Sequence, residues 1–277
     1  MKKGILFTTV VLLSAVGFAQ AQEGELHGYI DLTWQSKYIW RGFDVYADKS
    51  AIQPSLNLDL YGTGFGVDIA MHRANSSGFE NSERWDYTIF YRNAVCKDET
   101  YATNYMIGYR YYNYPDNSSH TRSSIDLQEF HMVFSWPNIL PVKGLVPTYC
   151  LVKLWPSNSG TIVGSRSPSG GTASGWAHIF MLDYPLTVPG FLPETPEQVL
   201  NLHSELVYND GVAPDGGGAR GPADHDWSNA VLGVSTDFEL SKNFVFTPGL
   251  FYQVTMDSSV NDDKDETWLT LGFKYKF

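Results

Sequence analysis

The sequence predicts an all-β fold, a closed antiparallel transmembrane β-barrel of about twelve strands. Three observations predict it. Strand-length segments alternate apolar and polar residues along almost the whole chain, the period of a strand that meets a different medium on each face. The connections between these segments alternate between long and short. The final segment keeps one face apolar to its last residue, with Leu269, Leu271, Phe273, Tyr275 and Phe277 set against Thr270, Gly272, Lys274 and Lys276. A strand with lipid outside and water inside has this pattern.

The two ends agree. Lys2 and Lys3 precede an apolar run at 4–18, and Ala19-Gln20-Ala21 is a small-x-small cleavage site. This is the pattern of a secretory signal peptide. The expected division is a signal peptide at 1–21 and one outer-membrane barrel domain at 22–277. Residues 22–25 are too short for a plug. No Cys follows the cleavage site, which excludes a lipoprotein signal. No later segment approaches the roughly 20 apolar residues of a spanning helix. The carboxy end resembles the signal by which bacterial outer-membrane barrels are handed to their assembly machinery, carried by Phe273, Tyr275 and Phe277. The expected location is the outer membrane of a Gram-negative cell, with membrane lipid and the barrel-assembly machinery as partners.

Composition fits. Aromatic residues make up 15%, charged residues 18%, and the mean hydropathy is −0.22. Barrels look polar because every second strand residue faces water. The formal charge of −11 becomes −13 without Lys2 and Lys3, which argues against nucleic acid as a partner. Cys96 falls in a short turn and Cys150 within a strand of the next hairpin, so two free thiols are expected.

The strands follow in order. From Leu26, residues Leu26, Ile30, Leu32, Trp34, Tyr38 and Trp40 share one parity, against Asp31, Thr33, Gln35 and Lys37. The second alternates Ile52, Leu56, Leu58 and Leu60 with Gln53, Ser55, Asn57 and Asp59. Gly62-Thr63-Gly64 is a tight turn, because glycine supplies positive φ. The third sets Phe65, Val67, Ile69 and Met71 outward. The fourth does so with Trp85, Tyr87, Ile89 and Tyr91, the fifth with Tyr105, Ile107, Tyr109 and Tyr111. The sixth, at about 124–136, changes parity between Leu127 and Phe130, so a β-bulge is expected near Gln128 and Glu129. The seventh (146–155) and eighth (176–186) are less amphipathic. The ninth turns Leu200, Leu202, Leu206 and Tyr208 outward, and the tenth Ala230, Leu232, Val234 and Phe238. The eleventh carries Phe244, Phe246, Leu250, Tyr252, Val254 and Met256, and 267–277 is the twelfth.

Connections after odd strands are polar and often long: 41–50, 74–83, 115–123, 157–175, 209–225 and 258–266. Those after even strands are mostly short or anchored by proline: 62–64, 93–99, 137–144, 187–198 and 240–243. Outer-membrane barrels have short periplasmic turns, longer outer loops and an even strand count. A soluble β-sandwich also alternates. It would not need aromatic residues at both strand ends, such as Trp34, Tyr38, Trp40, Trp85, Tyr91 and Trp268.

The first hairpin carries a resemblance. Ser36-Lys37-Tyr38-Ile39-Trp40-Arg41-Gly42-Phe43, followed by Ala51-Ile52-Gln53-Pro54-Ser55-Leu56, resembles the opening of the TorF-like family of outer-membrane porins over about residues 28–60. There an aromatic-rich strand ends in Arg-Gly and a Gln-Pro strand follows. The resemblance implies a porin; it implies no substrate and no catalytic residue. Read from the residues alone, Arg41-Gly42 is a loop entry, with Gly42 permitting a turn and Arg41 stacking on Trp40.

Parity places Asp31, Asp59, Asp68, Asp86, Asp126, Glu129, Asp183, Glu205 and Asp237 inside, with Lys37, Arg84, Arg92, Arg110, Lys153, Lys274 and Lys276. If the two signs segregate, they make a transverse field across an open pore for small polar solutes. If they interdigitate, they close the lumen as a lattice of ion pairs. The last long loop gathers Asp257, Asp262, Asp263, Asp265 and Glu266 against Lys264 alone. An acidic mouth concentrates cations. Its spacing does not match a calcium loop, so a solvated acidic mouth is expected, with neither metal nor cofactor. No catalytic set emerges. Glu129, His131 and Ser135 are of one parity, but residues i and i+4 on a strand lie roughly 13 Å apart. The function expected is passive diffusion of small polar solutes with a mild cation preference. The alternative is a non-conducting structural or adhesion barrel that uses loops 157–175 and 209–225.

Overall fold

The computed structural model describes residues 24–116, 126–157, 174–191, 195–212 and 225–277. Residues 1–21, where a signal peptide is expected, Ile125 and most of loops 157–175 and 209–225 lie outside these residues. In chain order the strands are β1 (His27–Gln35), β2 (Ile39–Trp40), β3 (Phe43–Asp44), β4 (Ala51–Asp59), β5 (Phe65–Ala74), β6 (Arg84–Val95), β7 (Thr103–Asn113) and β8 (Leu127–Ser135). They continue with β9 (Val146–Pro156), β10 (Gly175–Pro189), β11 (Glu197–Asp210), β12 (His225–Thr236), β13 (Phe238–Ser241), β14 (Phe244–Thr255) and β15 (Glu266–Lys276).

Each long strand pairs antiparallel with its neighbours in sequence. β1 pairs β15, and β12 pairs β14. The ladder therefore closes. β13 continues β12 beyond Asp237 and pairs with β14, and β2 and β3 form a separate small hairpin. The barrel has twelve strands. Closure satisfies every ladder and leaves no open edge, the condition a sheet must meet in lipid. The ends meet here: Phe277 N–H donates to Gly28 O at 3.0 Å, and Gly28 N–H to Phe277 O at 3.1 Å.

The surface is inverted relative to a soluble protein. Ile89 is 54% exposed and Leu232 59%, whereas Asn229 and Gln253 are wholly buried. An apolar exterior over a polar interior is the signature of lipid outside. Short connections gather at one end of the barrel, and the long ones gather at the other, called here the mouth.

Three expectations change. β1 ends at Gln35, where Leu269 N–H donates to Ser36 Oγ at 2.9 Å, and does not run on to Trp40. β8 starts at Leu127 and keeps continuous register with β7 and β9. There is no bulge at Gln128 and Glu129, because Leu127 is simply an inward apolar residue, wholly buried. Register shifts lie instead between β11 and β12, where Val207 pairs Asn229, Tyr208 pairs Trp227 and Ser228 is the extra residue, and between β13 and β14 at Glu239 and Ser241. Cys96 and Cys150 are free thiols.

Candidate functional site

After β1 the chain turns into the lumen. Tyr38, Trp40 and Tyr46 carry three large rings, which would stay in water if residues 36–50 stood up as an outer loop. The barrel interior buries them instead: Tyr38 is 5% exposed and Tyr46 fully buried. β2 and β3 form a hairpin whose two-residue tip is Arg41-Gly42, with φ of 52° and 92°. Two consecutive positive φ values make a type I′ turn, whose twist suits a hairpin. Gly42 takes the second position at no steric cost. A Cβ there would lie 2.7 Å from Asn229 Oδ1. Arg41 has no such freedom, and a non-glycine residue in this region costs about 1–2 kcal/mol.

The tip touches both sides of the barrel. Toward β5–β8, Arg41 Nη2 pairs with Glu129 Oε2 at 2.5 Å. Glu129 also accepts from the Tyr112 hydroxyl. His131 Nδ1 lies 3.1 Å from Glu129 but off the line of a hydrogen bond. Behind this pair, Arg84 donates to Asp86 at 2.7 Å and to the Tyr38 hydroxyl at 2.7 Å. Its guanidinium lies 4.0 Å from the Trp40 ring centre and 4.7 Å from that of Tyr112. His72 contacts Asp86 at 3.1 Å and stacks on Tyr38. Here acids and bases interdigitate, and the hairpin caps the lattice. Arg110 bonds Thr88 at 2.8 Å.

Toward β12 and β14, Gln253 Nε2 donates to Gly42 O at 2.8 Å, and Asp44 N–H donates to Asn261 Oδ1 at 2.9 Å. At the mouth, Lys37 Nζ reaches Asp48 at 2.5 Å and Glu266 at 2.6 Å. These two carboxylates and that of Asp44 form a tight acidic trio, and the Lys37 ammonium supplies its cation. Hydrogen bonds that Lys37 donates to Asp48 and Glu266 raise its pKa above the ordinary ammonium range. The Lys37 bond holds the Asp48 carboxyl below its usual range.

Beneath the tip lies a cavity of about 310 Å³. Arg41, Gln35, Gln253, His203, Glu205 and Thr270 supply its polar lining. Ile39, Ile179, Val231, Phe251 and Trp268 supply the apolar part. Phe251 lies flat against the wall because β12 has Gly233 opposite it, where a Cβ would come within 2.4 Å of the ring. Trp268 stacks on Phe251 at 5.4 Å. Three buried polar atoms of this lining have no hydrogen-bond partner: Arg41 Nη1, Gln35 Oε1 and Gln253 Oε1.

The structure scatters the remaining expected site residues. Asp31 accepts from Thr33 at 2.6 Å, and Asp68 from Asn57 at 3.4 Å. Asp59 and Arg92 pair at 2.7 Å near the short-turn end. Asp126 sits at the rim, ahead of β8, where it accepts from the Tyr111 hydroxyl and Tyr114 N–H. Lys37 stands in the loop and not on the wall. The acidic group of the last long loop divides. Glu266 and Asp257 are buried, while Asp262, Asp263 and Asp265 are exposed. Tyr38, Trp40 and Trp268, expected in an outer aromatic girdle, face the lumen instead. Alternation sets Gln35 inward but does not mark Arg41 or Gln253 as lining residues. The available signal was a polar loop that carries aromatic residues at every second or third position.

No protein-family model matches the chain, and no curated protein matches it. Solved structures do. The NanC porin superposes with a TM-score of 0.52 at 10% identity, over 90% of this chain and all of that one. The KdgM porin in complex with disordered oligogalacturonate scores 0.46 at 10% identity, over 90% and 99%. An outer membrane channel from Pseudomonas putida F1 scores 0.47 at 12% identity, over 95% and 100%. The likeness to NanC is one of fold. With the apolar belt, it makes this chain an outer-membrane β-barrel.

Proposed function

We propose that the protein is a narrow outer-membrane channel for small polar solutes, with its bore set by the inserted hairpin at residues 36–50. One observation carries this: a cavity of about 310 Å³, lined by both polar and apolar side chains, lies in the lumen directly beneath the hairpin tip. A barrel built only as a wall has no need of buried, unpartnered polar atoms on residues that line a void, since each such atom costs free energy. The mouth is the cell exterior in this proposal, and the short turns are periplasmic. A mild cation preference follows from Asp262, Asp263 and Asp265, which are exposed beside one lysine, Lys264. We further infer that residues 1–21 are a signal peptide, that Phe273, Tyr275 and Phe277 address the assembly machinery, and that the chain is TorF-like.

The second reading is a non-conducting barrel. The interdigitated ion pairs on the β5–β8 side and the hairpin that spans the lumen favour it. Purified protein in a planar bilayer separates the two. Stepwise conductance, smaller than that of a sixteen-stranded porin, supports the channel. Absent conductance together with absent liposome swelling supports the closed barrel.

A further inference from the structure

We propose that the cavity under Arg41 is a binding subsite for a small zwitterion, a free amino acid with an apolar side chain. This deepens the channel proposal by naming a solute class, although binding itself does not require conduction. The cavity is at the small end of the range for ligand pockets, roughly 300–1,000 Å³, which excludes a long oligomer lying within it.

The donor and acceptor inventory selects the ligand. Arg41 Nη1 is an unused donor with a full charge behind it. Its Nη2 is already committed to Glu129. Gln35 Oε1 and Gln253 Oε1 are unused acceptors. Gln253 is wholly buried, and its amide nitrogen is held by Gly42 O and Thr255 Oγ1, which fixes the oxygen as the free atom. Glu205 adds a carboxylate. Its neighbour His203 bonds Asp183 at 2.7 Å and lies 4.0 Å from Glu205.

The lining thus holds one cationic donor and three acceptors, one of them a carboxylate. An ammonium has three N–H donors and no acceptor, and a carboxylate has only acceptors. An α-amino acid carries both, joined through one carbon, and its dipole aligns with a field that runs from Arg41 to Glu205. A simple anion would leave the three acceptors unmatched. A simple amine would leave Arg41 unmatched. Either mismatch costs a buried, charge-assisted hydrogen bond. The apolar lining, Phe251 foremost, takes the side chain.

Calorimetry tests this on the full barrel in detergent micelles near neutral pH. The probes are L-leucine, isoamylamine, which lacks the carboxylate, and isocaproic acid, which lacks the amine. Leucine is expected to bind saturably, and each analogue at least about tenfold more weakly. Glu205→Gln should weaken leucine by about tenfold and leave isocaproic acid unchanged. Gln35→Leu, which removes an acceptor that makes no bond to the hairpin, should do the same if Glu205→Gln fails to give heat-modifiable, folded barrel. Equal binding of all three probes, no saturable leucine binding, or indifference to both substitutions overturns the site. In planar bilayers leucine should block the wild-type potassium chloride current and not that of Glu205→Gln. Binding without any current upholds the site and removes the channel. Current without binding removes the site and leaves the channel.

Discussion

Replacing Arg41 by alanine should open the lumen. The pair with Glu129 is buried on both sides, with side-chain exposures of 13% and 2%. Removing one partner of such a pair costs about 3–5 kcal/mol, because the other charge stays out of water. Here the low end applies. Glu129 keeps the Tyr112 hydroxyl and has His131 beside it. The left-handed backbone at position 41 gives no relief, since alanine is as strained there as arginine.

This cost falls on the docked hairpin alone. Once the hairpin swings out, water enters and Glu129 is solvated. A shift of about 3 kcal/mol multiplies the undocked population roughly a hundredfold. An undocked state near 0.1%, at the low end for a minor conformer, would rise to about 10%. Single-channel recording should show it as frequent full-amplitude openings that are rare in wild type. Replacing both partners, Arg41→Met with Glu129→Met, should restore most of the closure, since an apolar pair of similar volume leaves no orphan charge. Unchanged open probability in Arg41→Ala, in protein that folds and migrates normally, would refute the hairpin as the element that sets the bore.

Other outcomes follow from the same contacts. Asp262→Asn with Asp263→Asn should lower the cation-to-anion permeability ratio, far more at 0.01 M salt, where the Debye length is about 30 Å, than at 1 M, where it is about 3 Å. Glu266 is best left intact because it holds Lys37. The Lys37 latch has a pH sign. The Asp48 carboxyl is lower in the folded protein, so its contribution is present above the ordinary carboxylate range and lost as pH falls through the lower value. The Lys37 pKa is raised, so its contribution is complete below the ordinary ammonium range and persists through alkaline pH. Openings measured against pH should therefore rise only below about pH 4, and Lys37→Met should flatten that dependence. Deleting Phe277 should reduce outer-membrane levels on fractionation, because its backbone pairs with Gly28 in the seam that closes the barrel; undiminished levels would count against a role in assembly.

The wall was legible and the lumen was not, for one physical reason. A strand's period of two is local, so Ile30 and Asp31, or Leu269 and Thr270, declare their faces from sequence alone. The two parity errors share a cause. Alternation places Leu127 and the rings of Tyr38 and Trp40 as if the only apolar medium were lipid. The inserted hairpin creates a second one inside, and Trp40 packs there against Tyr112 at 5.3 Å. Trp268 is the same case: its parity is inward, but its ring looks interfacial because nothing local announces Phe251 opposite. Ion pairs such as Arg41 with Glu129, 88 residues apart, depend on closure and have no local signal.

Arg41 is where these two levels meet. A type I′ turn favours Asn-Gly or Asp-Gly, whose side chains tolerate the left-handed region. This chain has Arg-Gly, a choice that costs local stability. Strain of this kind persists only where the surroundings hold it, and here Glu129 on one side and the Gln253 bond to Gly42 on the other do so. An asparagine at position 41 would make a better turn, but could neither reach Glu129 nor present a charged donor to the cavity. Arg41→Asn should therefore separate the two roles. It should undock the hairpin less than Arg41→Ala does, because relief of the turn strain, about 1–2 kcal/mol, offsets part of the cost of the lost Glu129 pair while the Lys37 and Gln253 contacts remain. It should abolish leucine binding, which needs the cation at Nη1. Leucine affinity that survives Arg41→Asn would show that the side chain serves the turn's docking and not the solute.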